Sequence, residues 1–256
     1  MIVASFGGGV NSTAMLIGMH ERGERVDLIL FADTGGEKPH TYEHCGDFNL
    51  WLLDHGMPDI RFVQRTNAAQ QSRNLEQDCL DGKMLPSIAY GFKACSIKYK
   101  RDPQDKFCNN HQPCIDAWAA GEPVVKLIGY DMDEPHRAKI PSDKKYTYRY
   151  PLIEWNWGRE ECVAAIDRAG IKQPGKSACF FCPSSKKQEI LELRRVYPIL
   201  AQRAVAMERN AELTAVKGLG RSFAWGDLYE ADDRQTKMFP ETPIEQECEC
   251  YEGAAP

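Results

Sequence analysis

The sequence has no long apolar run and no large excess of one charge. None of its stretches approaches the roughly 20 consecutive apolar residues of a membrane-spanning helix, so we expect no membrane partner. Its first residues lack the charged and apolar regions of a secretory signal, and a cytoplasmic protein is expected. The formal net charge of −5 gives no general attraction to nucleic acid, so any such contact needs a local basic patch.

Internal repeats are absent too, and strand-like runs alternate with helical patterns. Short apolar runs predict strands at 2–4, 26–32, 60–63, 124–129 and, after a polar loop at 144–150, at 151–153. Amphipathic patterns predict helices at 41–55, 159–169, 185–196 and 198–212. This alternation predicts an α/β fold, with a doubly wound, Rossmann-like parallel sheet of about five strands and a C-terminal cysteine-bearing helical cap.

Polar stretches indicate how the chain divides. Residues 1–155 carry the sheet, and their polar segment at 66–122 is expected to be an irregular insertion with short helices, where substrate contacts tend to lie. Residues 156–256 form the cap. From residue 217 onward the chain is expected to be irregular and to end in an acidic, mobile tail.

The turn between the first strand and the first helix is rich in glycine. It reads Ser5-Phe6-Gly7-Gly8-Gly9-Val10-Asn11-Ser12-Thr13. Backbone N–H groups and the positive end of the helix dipole attract anions at such a turn. Glycines let a phosphate approach the backbone because they carry no Cβ, and the two hydroxyls add donors. A tight turn without a ligand is the alternative, since glycine motifs alone are weak signals.

Polar residues end two further strands of the predicted sheet. Asp33, Thr34 and Gly35 follow the second strand, and Gly129 ends the fourth. Ligands of open α/β sheets bind at the carboxyl ends of the strands, so these residues are expected beside the glycine loop.

Ten cysteines in a chain expected to be cytoplasmic indicate metal binding, catalysis or burial rather than disulfides. Cys45 and Cys162 lie on apolar helix faces and are expected in the core. Cys179 and Cys182 form a Cys-x-x-Cys-Pro turn, which suits zinc, a redox dithiol, an iron–sulfur cluster or a plain structural role.

The glycine loop resembles that of the PP-loop ATP pyrophosphatases, also called adenine nucleotide alpha hydrolases. In that superfamily a Ser-Gly-Gly-x-Asp-Ser loop holds the pyrophosphate of ATP, and the six positions here read Gly7-Gly8-Gly9-Val10-Asn11-Ser12. Gly7 and Asn11 depart from the pattern. Asn11 keeps an amide that can cap the helix but loses a charge that could help with Mg²⁺, which bears on rate and metal dependence.

Four further segments are similar to one branch, which contains phosphoadenylyl-sulfate reductases, DNA-phosphorothioation ATPases and phage or bacterial relatives. They are 32–39 with Tyr42, 94–100, 128–137, and 150–153 running into 177–183. Their order and spacing agree with that branch, and the resemblance covers roughly residues 1–210.

The resemblance implies an adenylation site for ATP and Mg²⁺. A substrate oxygen would attack the α-phosphorus, and pyrophosphate would leave. The implied catalytic residues are Asn11, Ser12, Asp33 and Arg137. The implied nucleotide-binding residues are Ser5, Gly7, Gly8, Gly9, Ser12 and Thr13 for the phosphates, Phe31, Ala32, Asp33 and Thr34 near the adenine, and Gly129.

The resemblance also implies a [4Fe–4S] cluster on Cys95, Cys179 and Cys182. Cys95 takes the second position of a Cys-Cys pair whose first position here is Ala94, so three of four ligands are present. One iron would then be open, as in certain tRNA-thiolating members. The alternatives are a fourth ligand from Cys79, Cys108 or His111, or a structural zinc site of three cysteines and a histidine.

Two other cysteine groups have alternative explanations. The motif Cys108-x-x-His111-x-x-Cys114 has the spacing of metal ligands but lies in a polar segment. Cys248 and Cys250 lie in the acidic tail, where a sulfonucleotide reductase carries its nucleophile. The carboxylates around them should raise the thiol pKa, which disfavours a nucleophile.

Three functions follow from these residues. The first is an ATP-dependent enzyme that adenylates a nucleic acid or nucleotide for sulfur transfer, with a sulfur-donor protein as a further partner. Basic residues near the cysteines favour such a phosphate-rich substrate; they are Lys93, Lys98, Lys100, Arg101, Lys186, Lys187, Arg194 and Arg195. The second is a sulfonucleotide reductase. The third is an accessory subunit that binds nucleotide without turnover. The oligomeric state is open, with a homodimer among the options.

Overall fold

The computed structural model of the protein describes residues 1–86, 88–89 and 92–238, leaving aside the side chains at 88–89, 92–93 and 235–238. The strands are β1 (Ile2–Phe6), β2 (Leu28–Ala32), β3 (Ile60–Val63), β4 (Ile88–Ala89), β5 (Phe92–Lys93), β6 (Val124–Ile128) and β7 (Tyr146–Arg149). The helices are α1 (Val10–Glu21), α2 (Pro39–Asp54), α3 (Leu75–Asp81), α4 (Ala94–Ser96), α5 (Asp102–Asn109), α6 (Gln112–Ala119), α7 (Pro151–Glu154), α8 (Arg159–Arg168), α9 (Lys187–Val196), α10 (Pro198–Asn210) and α11 (Trp225–Met238). Cys248 and Cys250 lie outside the described residues.

Five strands form one parallel sheet in the order β3-β2-β1-β6-β7. Because β2 and β3 extend from one side of β1 and β6 and β7 from the other, the strand order reverses between β1 and β6. Doubly wound sheets bind ligands in the crevice at such a reversal. The predicted fold class is therefore confirmed, and the crevice lies where the glycine loop leaves β1.

Apolar side chains of the sheet alternate between two layers. Ala4 and Phe6 of β1 pack with α1, α2 and α8, and Val3 packs with α5 and α6 on the opposite face. Thus the second half of the segment at 66–122 covers one face of the sheet. The helix α8, which belongs to the predicted cap at 156–256, packs against α1 in the sheet layer.

A third apolar cluster lies outside the sheet. It joins α3, α9, α10 and α11 to the Cys179–Cys182 turn, with Trp225 and Phe181 fully buried. Among the described residues, no helix combines the length and apolarity needed to cross a membrane.

Two expected boundaries are wrong. The loop expected at 144–150 contains strand β7, which pairs with β6 and buries Tyr146, and the strand expected at 151–153 is the helix α7. Pro151 occupies the first turn of that helix, where its missing N–H costs nothing.

The region after residue 217 also departs from expectation. The sequence predicts an irregular chain there, whereas α11 occupies Trp225–Met238. The helix is held in place because Trp225 and Tyr229 are buried in the third cluster. The many charged residues of this segment give no sign of that tertiary contact in the sequence.

Candidate functional site

A cavity of about 890 Å³ opens at the carboxyl edge of the sheet, beside the reversal between β1 and β6. The loop after β1, the ends of β2 and β6, and segments around residues 96–104, 130–140 and 175–177 form its walls. The predicted site residues that line it are Ser5, Gly7, Gly9, Asn11, Ser12, Phe31, Ala32, Gly129 and Arg137. The fold thus gathers residues from distant segments around one crevice.

The glycine loop has the geometry of an anion site. The Ser12 hydroxyl accepts from the Gly7 N–H at 3.1 Å and donates to the Gly9 carbonyl at 3.2 Å, which holds the loop closed. The helix α1 begins without a side-chain cap or an acidic residue in its first turn. Its first N–H groups and its dipole therefore remain available to a bound anion.

Glycine is required at one position in this loop and at one position that packs against it. Gly8 has φ of +69°, and a Cβ there would lie 2.9 Å from Thr41 Cγ2. A Cβ on Gly129 would lie 3.1 Å from both Cα and N of Ser12. In contrast, the nearest atom to a Cβ on Gly7 would be Ser12 Oγ at 3.8 Å. Gly7, which occupies the position of the first serine in the PP-loop pattern, is therefore not required by packing.

Basic side chains dominate the walls of the cavity. Glu134 is the one acid among its described lining residues, whereas the cations are Lys100, Arg101, Lys126, Arg137, Arg159 and Lys176. Arg137 pairs with Glu134 at 2.6 Å and lies 4.2 Å from the Tyr130 ring centre. The cavity therefore suits a ligand that carries several negative charges.

Four of the residues predicted to bind the nucleotide lie beside the cavity rather than on its lining. Asp33 accepts from Gly35 N–H at 2.8 Å, the Tyr42 hydroxyl at 2.7 Å and Gln64 Nε2 at 2.9 Å. Gly8 and the buried Thr13 and Thr34 contact the protein interior. In this arrangement Asp33 holds the turn after β2, and its carboxylate also helps to raise the pKa of Tyr42, after burial, the main cause.

Sequence reasoning missed several lining residues. Lys126 is buried within β6, pairs with Asp105 and lies 4.1 Å from the centre of the Tyr146 ring. Gln104 is also buried and accepts from the Ser5 hydroxyl at 2.6 Å. A lysine inside the apolar run Val124–Ile128 was the one available signal, because an isolated cation is rarely buried without a partner or a role.

The Mg²⁺ site implied by the resemblance can be tested on Asn11. Its Nδ2 donates to Asp131 Oδ2 at 2.7 Å, and its Oδ1 is buried without a hydrogen-bond partner. Mg²⁺ prefers oxygen ligands and takes only one or two from protein when phosphates supply the others. An unpartnered amide oxygen on the cavity lining, backed by a carboxylate, fits that requirement.

The Cys179–Cys182 turn is attached to the loop after β2. Cys179 Sγ lies 3.0 Å from Thr34 Oγ1, and the Cys179 backbone pairs with that of Glu37. Lys100, which lines the cavity, binds Glu37 Oε1 at 3.1 Å, and Glu37 Oε2 is buried without a partner. Burial raises the pKa of the Cys179 thiol to about 12, and the Glu37 carboxylate adds to the rise. Lys100 therefore stands between the cavity and this turn.

Cys95 lies in the same apolar cluster as Cys179 and Cys182. Burial, followed by the nearby Cys182, raises the pKa of its thiol. Thiols are the donors that iron–sulfur clusters and zinc use, so the donor chemistry fits a thiolate-bound group. In the described part of the chain, however, no three His, Cys, Asp or Glu side chains are arranged to hold a metal ion. The three cysteines are neighbours without forming a finished coordination shell.

The remaining cysteines fall into separate environments. Cys79 shares the Cys95 cluster, and both line a second cavity of about 480 Å³. Cys108 and Cys114 are fully buried in the layer under β6, while His111 stacks on Phe107. Cys45 and Cys162 are core residues, as predicted.

His44 packs against the loop and predicts a pH effect on stability. Burial lowers its pKa, and its Nε2 lies 2.9 Å from Thr13 Oγ1. The unfolded chain therefore takes up a proton below about pH 6.5 that the folded chain resists, so stability is retained above that pH and lost below it. We expect the free energy of unfolding in urea to fall as the pH is lowered from about 7.5 to about 5.5. In His44→Gln it should fall less, and the slopes of the two proteins should differ by up to about 1.4 kcal/mol per pH unit. Equal slopes for the two proteins would contradict this.

Comparisons with protein-family models and with curated proteins give no match. Among solved structures, the fold is similar to the U34-tRNA thiolase NcsA from Methanococcus maripaludis with its [4Fe-4S] cluster. The identity is 13%, the TM-score is 0.44, and the match covers 90% of this chain and 80% of that chain. At these values the likeness bears on neither function nor site.

Proposed function

We propose that the protein is an ATP pyrophosphatase that adenylates a substrate on the way to sulfur transfer. The observation that carries this proposal is the uncapped start of α1, which opens with its glycine loop into a cavity rich in cations. Backbone N–H groups there can hold the pyrophosphate, and Phe31 and Ala32 at the end of β2 supply an apolar wall for the adenine.

The chemistry follows from that placement. A substrate oxygen forms a bond to the α-phosphorus of ATP, the bond to the bridging oxygen breaks, and pyrophosphate leaves with the electron pair. Loop N–H groups stabilise the leaving charge, and Lys100, Lys126 and Arg137 add positive charge around the cavity. Bound Mg²⁺ would neutralise further phosphate charge.

The sulfur half of the proposal depends on the thiols beside the cavity. Lys100 lines the cavity and its ion-pair partner Glu37 is paired by backbone to Cys179, so the turn that would carry the sulfur lies directly behind the cavity wall. A [4Fe–4S] cluster on Cys95, Cys179 and Cys182 would supply an iron that carries this sulfur. The exposed cations Arg101, Arg137 and Arg159 at the cavity suit a nucleic-acid or nucleotide acceptor.

Nucleotide binding and pyrophosphate release test the first half. We expect ATP to bind more tightly than GTP, and label on the α-phosphate to appear in AMP or an adenylated acceptor. Ser12→Ala should weaken ATP binding about tenfold, since it opens the loop, whereas the exposed Ser222→Ala should not. Release of inorganic phosphate instead of pyrophosphate would contradict the proposal. ATP binding without any turnover would favour the accessory-subunit alternative, which Gly7 and Asn11 support.

Metal content tests the second half. Protein purified without oxygen should contain iron and acid-labile sulfide and absorb broadly near roughly 400 nm. Cys179→Ser with Cys182→Ser should lose both, while Cys162→Ala, whose thiol is buried in the sheet layer, should keep them. Zinc in place of iron would support the structural alternative, and absence of both metals would remove the cluster from the proposal.

A further inference from the structure

The carboxylate of Asp131, on the other side of the crevice, contacts the loop at the position where the PP-loop motif has an aspartate. Asn11 occupies that position, and its Nδ2 donates to Asp131 Oδ2 at 2.7 Å across a separation of 120 residues. The close approach of Gly129 to Ser12 explains how they meet. The chain leaves β6 directly against the loop, and Asp131 follows two residues later.

Asp131 is a buried carboxylate that has no cationic partner among the residues that the structure describes. It is 4% exposed, and besides Asn11 it accepts from the Asp133 N–H at 3.1 Å. None of the ion pairs in the described residues includes Asp131. Burying a carboxylate is costly unless an opposite charge compensates it. Amide and backbone donors satisfy its hydrogen bonds, but no side chain in the described part of the protein compensates its charge.

The side chain between Asp131 and the cavity has an unused oxygen. Asn11 lines the cavity, and because its Nδ2 is committed to Asp131, the atom left to bind a ligand is Oδ1. That oxygen is buried and has no hydrogen-bond partner among the described residues. An amide oxygen coordinates a cation but cannot donate to an anion. The unpartnered oxygen and the carboxylate behind it together favour a cation as the ligand of this side chain.

We propose that Asp131 is a positioning residue that makes Asn11 Oδ1 a ligand of the divalent cation that accompanies the nucleotide. Asp131 orients the amide and supplies the negative charge behind it. The carboxylate that the motif has on the loop is thus provided here by the segment after β6. The ion takes its other ligands from phosphates and water, as Mg²⁺ usually does. This inference rests on the proposed function and adds the residue that sets its metal dependence.

The test compares ATP affinity in excess Mg²⁺ with that in EDTA, by calorimetry, for the full chain. Wild type should bind more tightly with Mg²⁺. Asp131→Asn, which keeps the size and removes the charge, should reduce that Mg²⁺ advantage about tenfold while changing the EDTA affinity about twofold or less. Asp133→Asn removes one charge from an exposed neighbour and should leave the advantage unchanged. Mn²⁺ binding measured by paramagnetic resonance, with ATP present, should follow the same order.

Exchanging the side chains at positions 11 and 131 separates the effect of the charge from the effect of a local structural change. Asn11→Asp alone places two carboxylates in contact and should weaken binding, whereas Asn11→Asp combined with Asp131→Asn reverses the pair and should restore the Mg²⁺ advantage. An unchanged advantage in Asp131→Asn, or equal losses in Mg²⁺ and EDTA, would overturn the inference and leave the proposed function standing. Wild type that binds ATP in neither buffer would overturn both.

Discussion

Gly129→Val should lose nucleotide binding while the protein stays folded. A Cβ at this position would lie 3.1 Å from Cα and N of Ser12 and close to the carbonyl carbon of Asn11, so it meets backbone rather than a movable side chain. The loop must then shift away from β6, and overpacking of this kind costs about 1–3 kcal/mol. Because the displaced N–H groups are those expected to hold the phosphates, we expect ATP affinity to fall at least about tenfold.

Gly46→Ala is the matched control for this substitution. Gly46 lies in the middle of α2, is exposed, and has no atom within 4 Å of the position that an added methyl group would take. Alanine there should stabilise the helix by about 0.5–1 kcal/mol and leave ATP binding unchanged. Calorimetric titration with ATP and urea unfolding of the three proteins measure both effects. Wild-type affinity in Gly129→Val would show that the loop does not hold the nucleotide.

Glu208→Ala should loosen the cap that carries the cysteines. This buried carboxylate accepts from the N–H groups of Leu219 at 2.7 Å, Trp225 at 2.9 Å and Gly226 at 3.2 Å. It thereby caps α11 from a neighbouring helix. Alanine would leave three N–H groups without their acceptor, each costing about 1–3 kcal/mol when buried. We expect a total loss on the order of 3–5 kcal/mol, comparable to breaking a buried charge interaction.

The consequence should be visible at the thiols. Trp225 packs in the apolar cluster that contains Cys179 and Cys182, so undocking α11 should expose these thiols to alkylation before Cys45 and Cys162 in the sheet layer. Mass spectrometry after brief iodoacetamide treatment distinguishes the two groups. Glu212→Ala removes an exposed pair with Lys83 and should cost less than about 1 kcal/mol. An unchanged unfolding midpoint in Glu208→Ala would contradict the capping role.

Local patterns were sufficient for most of the sheet and for the loop. The apolar runs of β1, β2, β3 and β6 and the helical spacing of α2 and α8 are signals that near neighbours create, and the structure has these elements within a few residues of their expected ends. The strand β7 was not predicted because it lacks a continuous apolar run, although its tyrosines alternate with polar residues as in a half-buried edge strand. Its pairing partner β6 determines that it is a strand.

The residues that line the cavity divide in the same way. Gly7, Gly9 and Ser12 could be found from the sequence, because a glycine turn between a strand and a helix is a local motif. Lys126 stands out as a lysine in an apolar run, but nothing nearby in the chain shows that it and Gln104 face the same cavity. Burial of Asp131 against Asn11 likewise depends on how β6 approaches the loop.

The sequence by itself therefore determined the strand–loop–helix unit at the start of the chain, the parallel character of the sheet and the core positions of Cys45 and Cys162. Each of these depends on residue spacing within an element or on the order of elements along the chain. Only the tertiary structure decided which side chains meet across the crevice, that Asp33 holds a turn instead of lining the cavity, and that α11 closes the cap. Those outcomes depend on contacts between segments far apart in the chain, whose energies no local pattern records.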